Sequence, residues 1–156
     1  MRKDEIDPEL KELAYDFFYW YSRFECALKE NSFLKSNTPG DNADPCWNKF
    51  IVTYNKNFTH TSSTIKIISL HPKRQKISAI GKIEWKEVGV EHCRNELEKT
   101  ITMIKTVRNN LFHGGKSGDR QVDDVKRNKE LLKSCVSALA ELAKLANFDD
   151  DFRRYY

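Results

Sequence analysis

Apolar residues recur at three- and four-residue steps near the start of the chain, from Leu10 to Leu28. This spacing places them on one face of a helix and predicts a helix over about residues 8–30. Asp7 and Pro8 give the start signal, because Asp caps helix N-termini and Pro is tolerated in the first turn. Aromatic residues cover much of the remaining circumference, which predicts burial within a bundle or beneath a partner chain: Tyr15, Phe18, Tyr19 and Tyr21.

The pattern changes in the middle of the chain. Residues 36–45 are rich in Asn, Asp, Pro and Gly, which predicts a break between elements. Asp44-Pro45 repeats the start signal of the first helix and predicts a short helix that ends near Tyr54. Two β-branched stretches, 64–68 and 76–80, flank a Pro-containing turn and predict a small β-hairpin.

A second long periodic stretch predicts a helix over about residues 90–113. Gly114 and Gly115 should end it, because glycine readily adopts the left-handed conformation found after helices. Gly118-Asp119 then predicts a turn and the cap of a final helix, followed by a frayed tail from Asp149. The sequence therefore predicts one domain over residues 1–156, a mainly all-α bundle with a hairpin-containing insertion at 57–87.

Composition agrees with a single globular domain. The chain has 156 residues, of which 39% are hydrophobic and 32% charged. No apolar run is long enough to cross a bilayer, and the charged N-terminus lacks the apolar segment of a secretory signal. The four cysteines form no Cys-x-x-Cys pair, which predicts reduced thiols rather than disulfides or structural zinc. We therefore expect a cytoplasmic protein with no membrane partner.

The formal net charge of +4 permits a polyanionic partner without requiring one. Its distribution is more informative, because basic residues concentrate at 71–86 and again at 116–133. Each cluster is either a solvated face or a set of phosphate contacts, and the second interpretation gains weight if a site lies nearby. Trp47 and Trp85 could stack on bases, but packing against the bundle is the preferred interpretation.

The segment that ends the second long helix carries the candidate chemistry. Asn109 and His113 are four residues apart and project from one side of the last turn, and the long Arg108 side chain can reach the same cleft. These residue types suit RNA cleavage. Histidine can take the 2′-hydroxyl proton near neutral pH, arginine can hold the negative phosphorane, and asparagine can orient the imidazole or bind phosphate. No metal or cofactor is required.

Other residues receive weaker assignments. Lys116 and Asn110 are candidate substrate-binding residues, although Lys116 equally fits a solvated loop. Glu25 is a candidate for orienting Arg108 from the first helix, against an ordinary exposed glutamate. The other histidines lack partners at ligand spacing, which predicts structural or exposed roles: His60, His71 and His92.

The pattern Arg108-x-x-x-x-His113, with a polar residue directly after the arginine, closely resembles the signature of HEPN domains. The longer string 108–116 is similar to the form in bacterial HEPN proteins of conflict systems, and 23–29 is similar to their first-helix pattern. The resemblance implies a HEPN-like bundle and a homodimer whose two Arg/His pairs meet to form one RNA-cleaving site. It also implies products with 2′,3′-cyclic phosphate and 5′-hydroxyl ends, a toxin or abortive-infection role, and a cognate antitoxin or regulatory protein.

Two other functions stay open, because an Arg and a His five residues apart also arise by chance. One is a non-catalytic HEPN-like module that binds RNA, a nucleotide or a protein. The other is a purely structural helical dimer. Cleavage that depends on His113 separates the nuclease from both, and salt-sensitive RNA binding separates the two alternatives from each other. In the nuclease, we expect the dimer interface at the end of the 90–113 helix and the flanking helices.

Overall fold

The computed structural model describes residues 6–112 and 124–154. In these ranges six helices and one two-stranded antiparallel sheet follow each other: α1 (Pro8–Glu30), α2 (Trp47–Tyr54), α3 (Ser62–Ser69), β1 (Lys73–Ile77), β2 (Ile83–Glu87), α4 (Glu96–Phe112), α5 (Val125–Leu145) and α6 (Asp149–Arg153). The prediction of a mainly helical chain with a small hairpin is confirmed. Within the described ranges, every helix is too short or too polar to cross a membrane.

Helix α1 has the predicted bounds because its start signals and its apolar face agree. The Asp7 carboxylate accepts a hydrogen bond from the backbone N–H of Leu10 at 2.9 Å, which satisfies a donor of the first turn. On the inward face, Phe17, Phe24 and Leu28 are fully buried. The helix packs mainly on α5 and α6 and also contacts α4, whose end carries the candidate site.

An aromatic cluster fills the core beside α1. The Phe24 ring lies at its centre and stacks on Trp47, with centroids 5.0 Å apart and planes 16° apart. Rings from α2 and the C-terminal segment surround Phe24 at 5.4 to 6.3 Å: Phe50, Phe148 and Phe152. Trp47 thus packs in the bundle, as preferred from the sequence, whereas Trp85 lies half-buried on β2.

Two predictions for the middle of the chain are wrong. Helix α2 begins at Trp47 rather than after Asp44, because Pro45 is held in an isolated bridge with Leu34. The β-branched stretch 64–68 lies in helix α3 and not in a strand. A capping box between Thr61 and Thr64 fixes the start of α3, and its buried face overrides the weak β preference of its residues.

The hairpin is therefore shifted along the chain from its predicted position. Strand β1 pairs with β2 from Lys73↔Glu87 to Ile77↔Ile83, so the turn lies at 78–82 and not at 71–74. Gly81 supplies the positive φ of +74° that this turn needs. Within the predicted insertion 57–87, α3 packs against α5 and buries Ile67, so this helix belongs to the bundle core.

Helices α4 and α5 begin at other residues than predicted. Helix α4 begins at Glu96 rather than near 90, because the Asn95 side chain accepts from the backbone N–H of Glu98 at 2.9 Å. Asp124 caps α5 in the same way, and the predicted cap Asp119 lies outside the described residues.

The prediction of a frayed tail is wrong for residues 149–153, and residues 155 and 156 lie outside the described residues. Residues 149–153 form α6, in which Phe152 is buried. The buried guanidinium of Arg23 donates hydrogen bonds to the backbone carbonyls of Asp151 and Phe152, which fixes this segment to α1. An arginine that satisfies carbonyls at the end of the chain gives the short helix a stable position.

Candidate functional site

The last turn of α4 carries three of the predicted site residues: Arg108, Asn109 and Asn110. Asn109 is exposed, whereas Arg108 and Asn110 are half-buried. His113 and Lys116 lie outside the described residues, so their predicted roles stay predictions. The structure therefore describes the Arg108 guanidinium and the side-chain amides of Asn109 and Asn110, but not the imidazole of the site.

The Arg108 guanidinium is held from two sides. Its central carbon lies 5.6 Å from the centre of the Tyr21 ring on α1, a cation–π contact. Its Nη1 donates to the Asn109 side-chain oxygen at 3.1 Å. The sequence predicted that Arg108 and Asn109 act together, and the structure brings these two side chains into contact. A guanidinium held in this way loses little further freedom when it binds an anion.

Two side chains, Trp47 and Glu25, surround the Tyr21 ring beneath Arg108. The Trp47 indole N–H donates to Glu25 at 2.9 Å, and the Trp47 ring lies 5.5 Å from the ring of Tyr21. Burial, followed by the charge of Glu25, raises the pKa of Tyr21, while the Arg108 charge acts in the opposite direction. The Tyr21 hydroxyl therefore stays protonated at neutral pH, within the electrostatic influence of the Glu25 carboxylate.

Glu25 thus acts on the ring that Arg108 contacts. Its assignment as a residue that orients Arg108 stays a prediction, now with a structural route through Tyr21. Sequence reasoning missed Tyr21 as part of the site. The four-residue spacing of Tyr21 and Glu25 on α1 was a usable signal, since such residues are neighbours on a helix.

Asn110 has a packing contact in the structure. Its side-chain amide donates to the backbone carbonyl of Lys73 at 2.6 Å, which joins the last turn of α4 to the start of β1. A cavity of about 30 Å³ lies beside this contact, with Val107, Arg127 and Leu131 in its lining. That volume holds about one or two waters but no nucleotide. The predicted role of Asn110 in substrate binding stays a prediction.

The two basic clusters differ in how far the chain itself neutralises them. In the second cluster, Lys129 contacts Asp7 at 2.8 Å and Glu9 at 2.7 Å, and Lys133 contacts Glu9 at 2.8 Å. These contacts lower the pKa of both carboxyls. Arg127 donates to the backbone carbonyls of Leu70 and His71. These cations therefore have intramolecular roles, whereas those of the first cluster lie mostly on the exposed hairpin.

Other reactive side chains form no competing centre in the part of the chain that the structure describes. All four cysteines are free thiols, and the described residues hold no group of three His, Cys, Asp or Glu side chains placed for a metal ion. His60 lies 3.2 Å from the Thr64 hydroxyl and 3.0 Å from Glu96. Thr64 is buried and already serves the cap of α3, so this chain of contacts joins α3 to α4.

No family model, curated protein or solved structure matches this chain. The likeness of residues 108–116 to HEPN domains therefore stays a resemblance.

Proposed function

We propose that this protein is a metal-independent endoribonuclease of HEPN-like fold, which acts as a homodimer with Arg108 and His113 at its cleavage site. The observation that carries the proposal is the fixed position of Arg108. Its guanidinium is half-buried between the Tyr21 ring and Asn109, five residues before His113 on the same chain segment. The chain thus supplies a permanent cation five residues before a histidine, and RNA transesterification needs both kinds of group.

In the proposed reaction, His113 takes the proton of the 2′-hydroxyl. The 2′-oxygen forms a bond to the adjacent phosphorus, the bond from phosphorus to the 5′-oxygen breaks, and the leaving oxygen receives a proton from the solvent. The products are a 2′,3′-cyclic phosphate and a 5′-hydroxyl. Arg108 stabilises the charge that develops on the phosphorane, because its planar fork can contact two oxygens. The amide nitrogen of Asn109 is a further donor for a phosphate oxygen or the imidazole.

A dimer is supported by the small size of the cavity at the end of α4. The cavity beside Asn110 is too small for a nucleotide, so RNA would bind on the surface, where a second copy can complete the site. In the proposed homodimer, each copy contributes one Arg108 and one His113 to a shared wedge. The exposed aromatic side chains of α1 supply further apolar surface for a partner, with Tyr15 67% and Phe18 46% exposed.

The biological role that fits this activity is a cytoplasmic toxin or anti-phage effector. Cleavage of cellular RNA would arrest the producing cell, and a cognate antitoxin or regulatory protein would keep the enzyme silent. Growth of bacterial cells that express the parent or a His113-substituted protein tests this role directly. Unimpaired growth with active parent protein would favour a nuclease with another purpose.

Replacement of Arg108 is the first test of the site. We expect Arg108→Ala to lower the cleavage rate by about 10²–10³-fold, the usual effect of losing one transition-state donor. Arg108→Lys keeps the charge but loses the fork and should recover only part of the rate. Cleavage of a fluorescent RNA in chelator measures both effects. Lys105→Ala removes an exposed cation one turn earlier on α4 and should leave the rate unchanged.

The assembly state provides the control for these variants. In light scattering at micromolar concentration, the parent and both Arg108 variants should show the mass of two chains. A monomeric parent would contradict a site shared between copies. Full activity of Arg108→Ala would contradict the role of the guanidinium. A parent that binds RNA without cleaving it would favour the non-catalytic module.

A further inference from the structure

The β1–β2 hairpin has two chemically different faces. In an antiparallel pair, residues directly opposite each other lie on the same face of the sheet. The register therefore places Arg74 opposite Lys86 and Lys76 opposite Glu84 on one face. The other face carries Lys73 opposite Glu87, Gln75 opposite Trp85 and Ile77 opposite Ile83. We refer to the first set (Arg74, Lys76, Glu84 and Lys86) as the basic face.

The basic face carries more positive charge than the described residues neutralise. Three cations surround one carboxylate, and Glu84 is already paired with Lys86 at 2.8 Å. Arg74 and Lys76 are exposed, and neither forms an ion pair with any residue in the described ranges. Arg74 also lies directly opposite Lys86, and like charges at such positions destabilise a strand pair. An anion bound between these side chains would remove that repulsion.

The base of the hairpin is fixed to the candidate site. Asn110 holds the Lys73 carbonyl at 2.6 Å, and Asn110 is two residues from Arg108 in the last turn of α4. From α5, Arg127 holds the carbonyls of Leu70 and His71, just before β1. The basic face thus starts at Arg74, next to Lys73, whose carbonyl is anchored to the last turn of α4.

We infer that the hairpin is an RNA-binding arm whose basic face contacts the phosphate backbone of the strand that is cleaved at Arg108 and His113. This inference rests on the proposed function, to which it adds a substrate-binding surface outside the Arg/His segment. An anionic membrane is a poorer match. Elements that lie on membranes present cations around the apolar surface that they insert. Here Arg74 and Lys76 lie on the face opposite Ile77 and Ile83, which are 80% and 70% exposed.

Binding to an uncleavable RNA tests the inference separately from catalysis. The probe is a fluorescent single-stranded 2′-O-methyl RNA, followed by anisotropy over a series of salt concentrations. We expect Arg74→Gln/Lys76→Gln to weaken binding by about tenfold at low salt, because two phosphate contacts are lost. The slope of log K against log salt should become shallower by about 1.4, since each contact to a single strand contributes about 0.7.

Matched variants make the result specific. Lys49→Gln/Lys56→Gln removes the same charge from exposed positions at α2 and the loop that follows it, and should leave affinity and salt slope close to the parent values. Urea unfolding should show that both double variants are as stable as the parent, because all four side chains are exposed. Equal weakening by both pairs would mean that only total charge matters, and it would overturn the inference.

The outcomes also separate the arm from the nuclease. Unchanged RNA affinity in Arg74→Gln/Lys76→Gln would overturn the arm, even if the parent cleaves RNA through His113. The expected loss of affinity would support the arm even if the parent proves to cleave nothing, in which case the proposed function fails alone. Binding to vesicles of phosphatidylcholine and phosphatidylserine that is lost in Ile77→Ser/Ile83→Ser, with RNA affinity unaffected by the Arg74 and Lys76 changes, would overturn the arm in favour of a membrane.

Discussion

Replacing His113 with alanine is expected to slow RNA cleavage by about 10²–10⁴-fold, the usual contribution of a general acid or base. The histidines in the described ranges, His60, His71 and His92, all lie outside α4. The 2′-hydroxyl would then have to lose its proton to water, whereas Arg108 would still hold the phosphate. We therefore expect RNA affinity to change far less than the cleavage rate. Single-turnover cleavage and anisotropy on the same RNA measure the two quantities.

His92→Ala is the matched control for this substitution, because His92 is exposed in the loop that precedes α4. It should leave cleavage unchanged. If the protein is a toxin, the His113 variant should also lose growth arrest, and the His92 variant should retain it. Equal cleavage by the parent and the His113→Ala protein would rule out the proposed nuclease.

Replacing Phe24 with alanine should strongly destabilise the fold. The ring is fully buried and lies within 6.3 Å of four other aromatic rings, between centroids. Truncation removes these contacts and leaves a cavity that rigid neighbours fill poorly. We expect the free energy of unfolding to fall by about 3–5 kcal/mol. Urea unfolding followed by circular dichroism measures the change.

Tyr15→Ala supplies the comparison on the same helix. Tyr15 is 67% exposed, so its truncation should change the free energy of unfolding by no more than about 0.5 kcal/mol in a single chain. A small loss for Phe24→Ala, similar to that for Tyr15→Ala, would contradict the packing of α1 against α2 and α6. A larger loss for Tyr15→Ala, with a shift towards the monomer, would place Tyr15 in the dimer interface.

Helix α1 was predictable because every local signal agreed. The cap Asp7, Pro8 and the spacing of the apolar residues all pointed to the same element, and the structure gives it the predicted bounds. Local signals conflicted in α3, where β-branched residues favoured a strand. The capping box at Thr61 and the buried Thr64 and Ile67 decided for a helix, and burial depends on partners that are distant in the chain.

The C-terminal segment depends even more on partners that are distant in the chain. Three consecutive aspartates suggested a solvated tail, but Phe152 fits against Phe24 and Trp20 in the core. Arg23 satisfies two backbone carbonyls of this segment from 128 and 129 residues away. No local pattern contains such a contact. The short helix could therefore be found only from the assembled fold.

In the candidate site too, contacts within one helical turn were predictable from the sequence, and contacts between helices were not. The local string identified Arg108 and Asn109 together, because they are adjacent on one helical turn. The support of Arg108 by Tyr21, and of Tyr21 by Glu25 and Trp47, joins α4 to α1 and α2. Glu25 could be proposed from its position on α1. Tyr21, the ring through which it acts, could be identified only from the packing of α1, α2 and α4.

The most direct measurement is the chemistry of the RNA ends that the purified protein produces in the presence of a chelator. The proposed mechanism predicts cleavage with 2′,3′-cyclic phosphate and 5′-hydroxyl ends, and both products should disappear in the His113→Ala protein. It also predicts no cleavage where the scissile nucleotide carries a 2′-O-methyl group. Products with 5′-phosphate ends, or cleavage that needs no free 2′-hydroxyl, would contradict it.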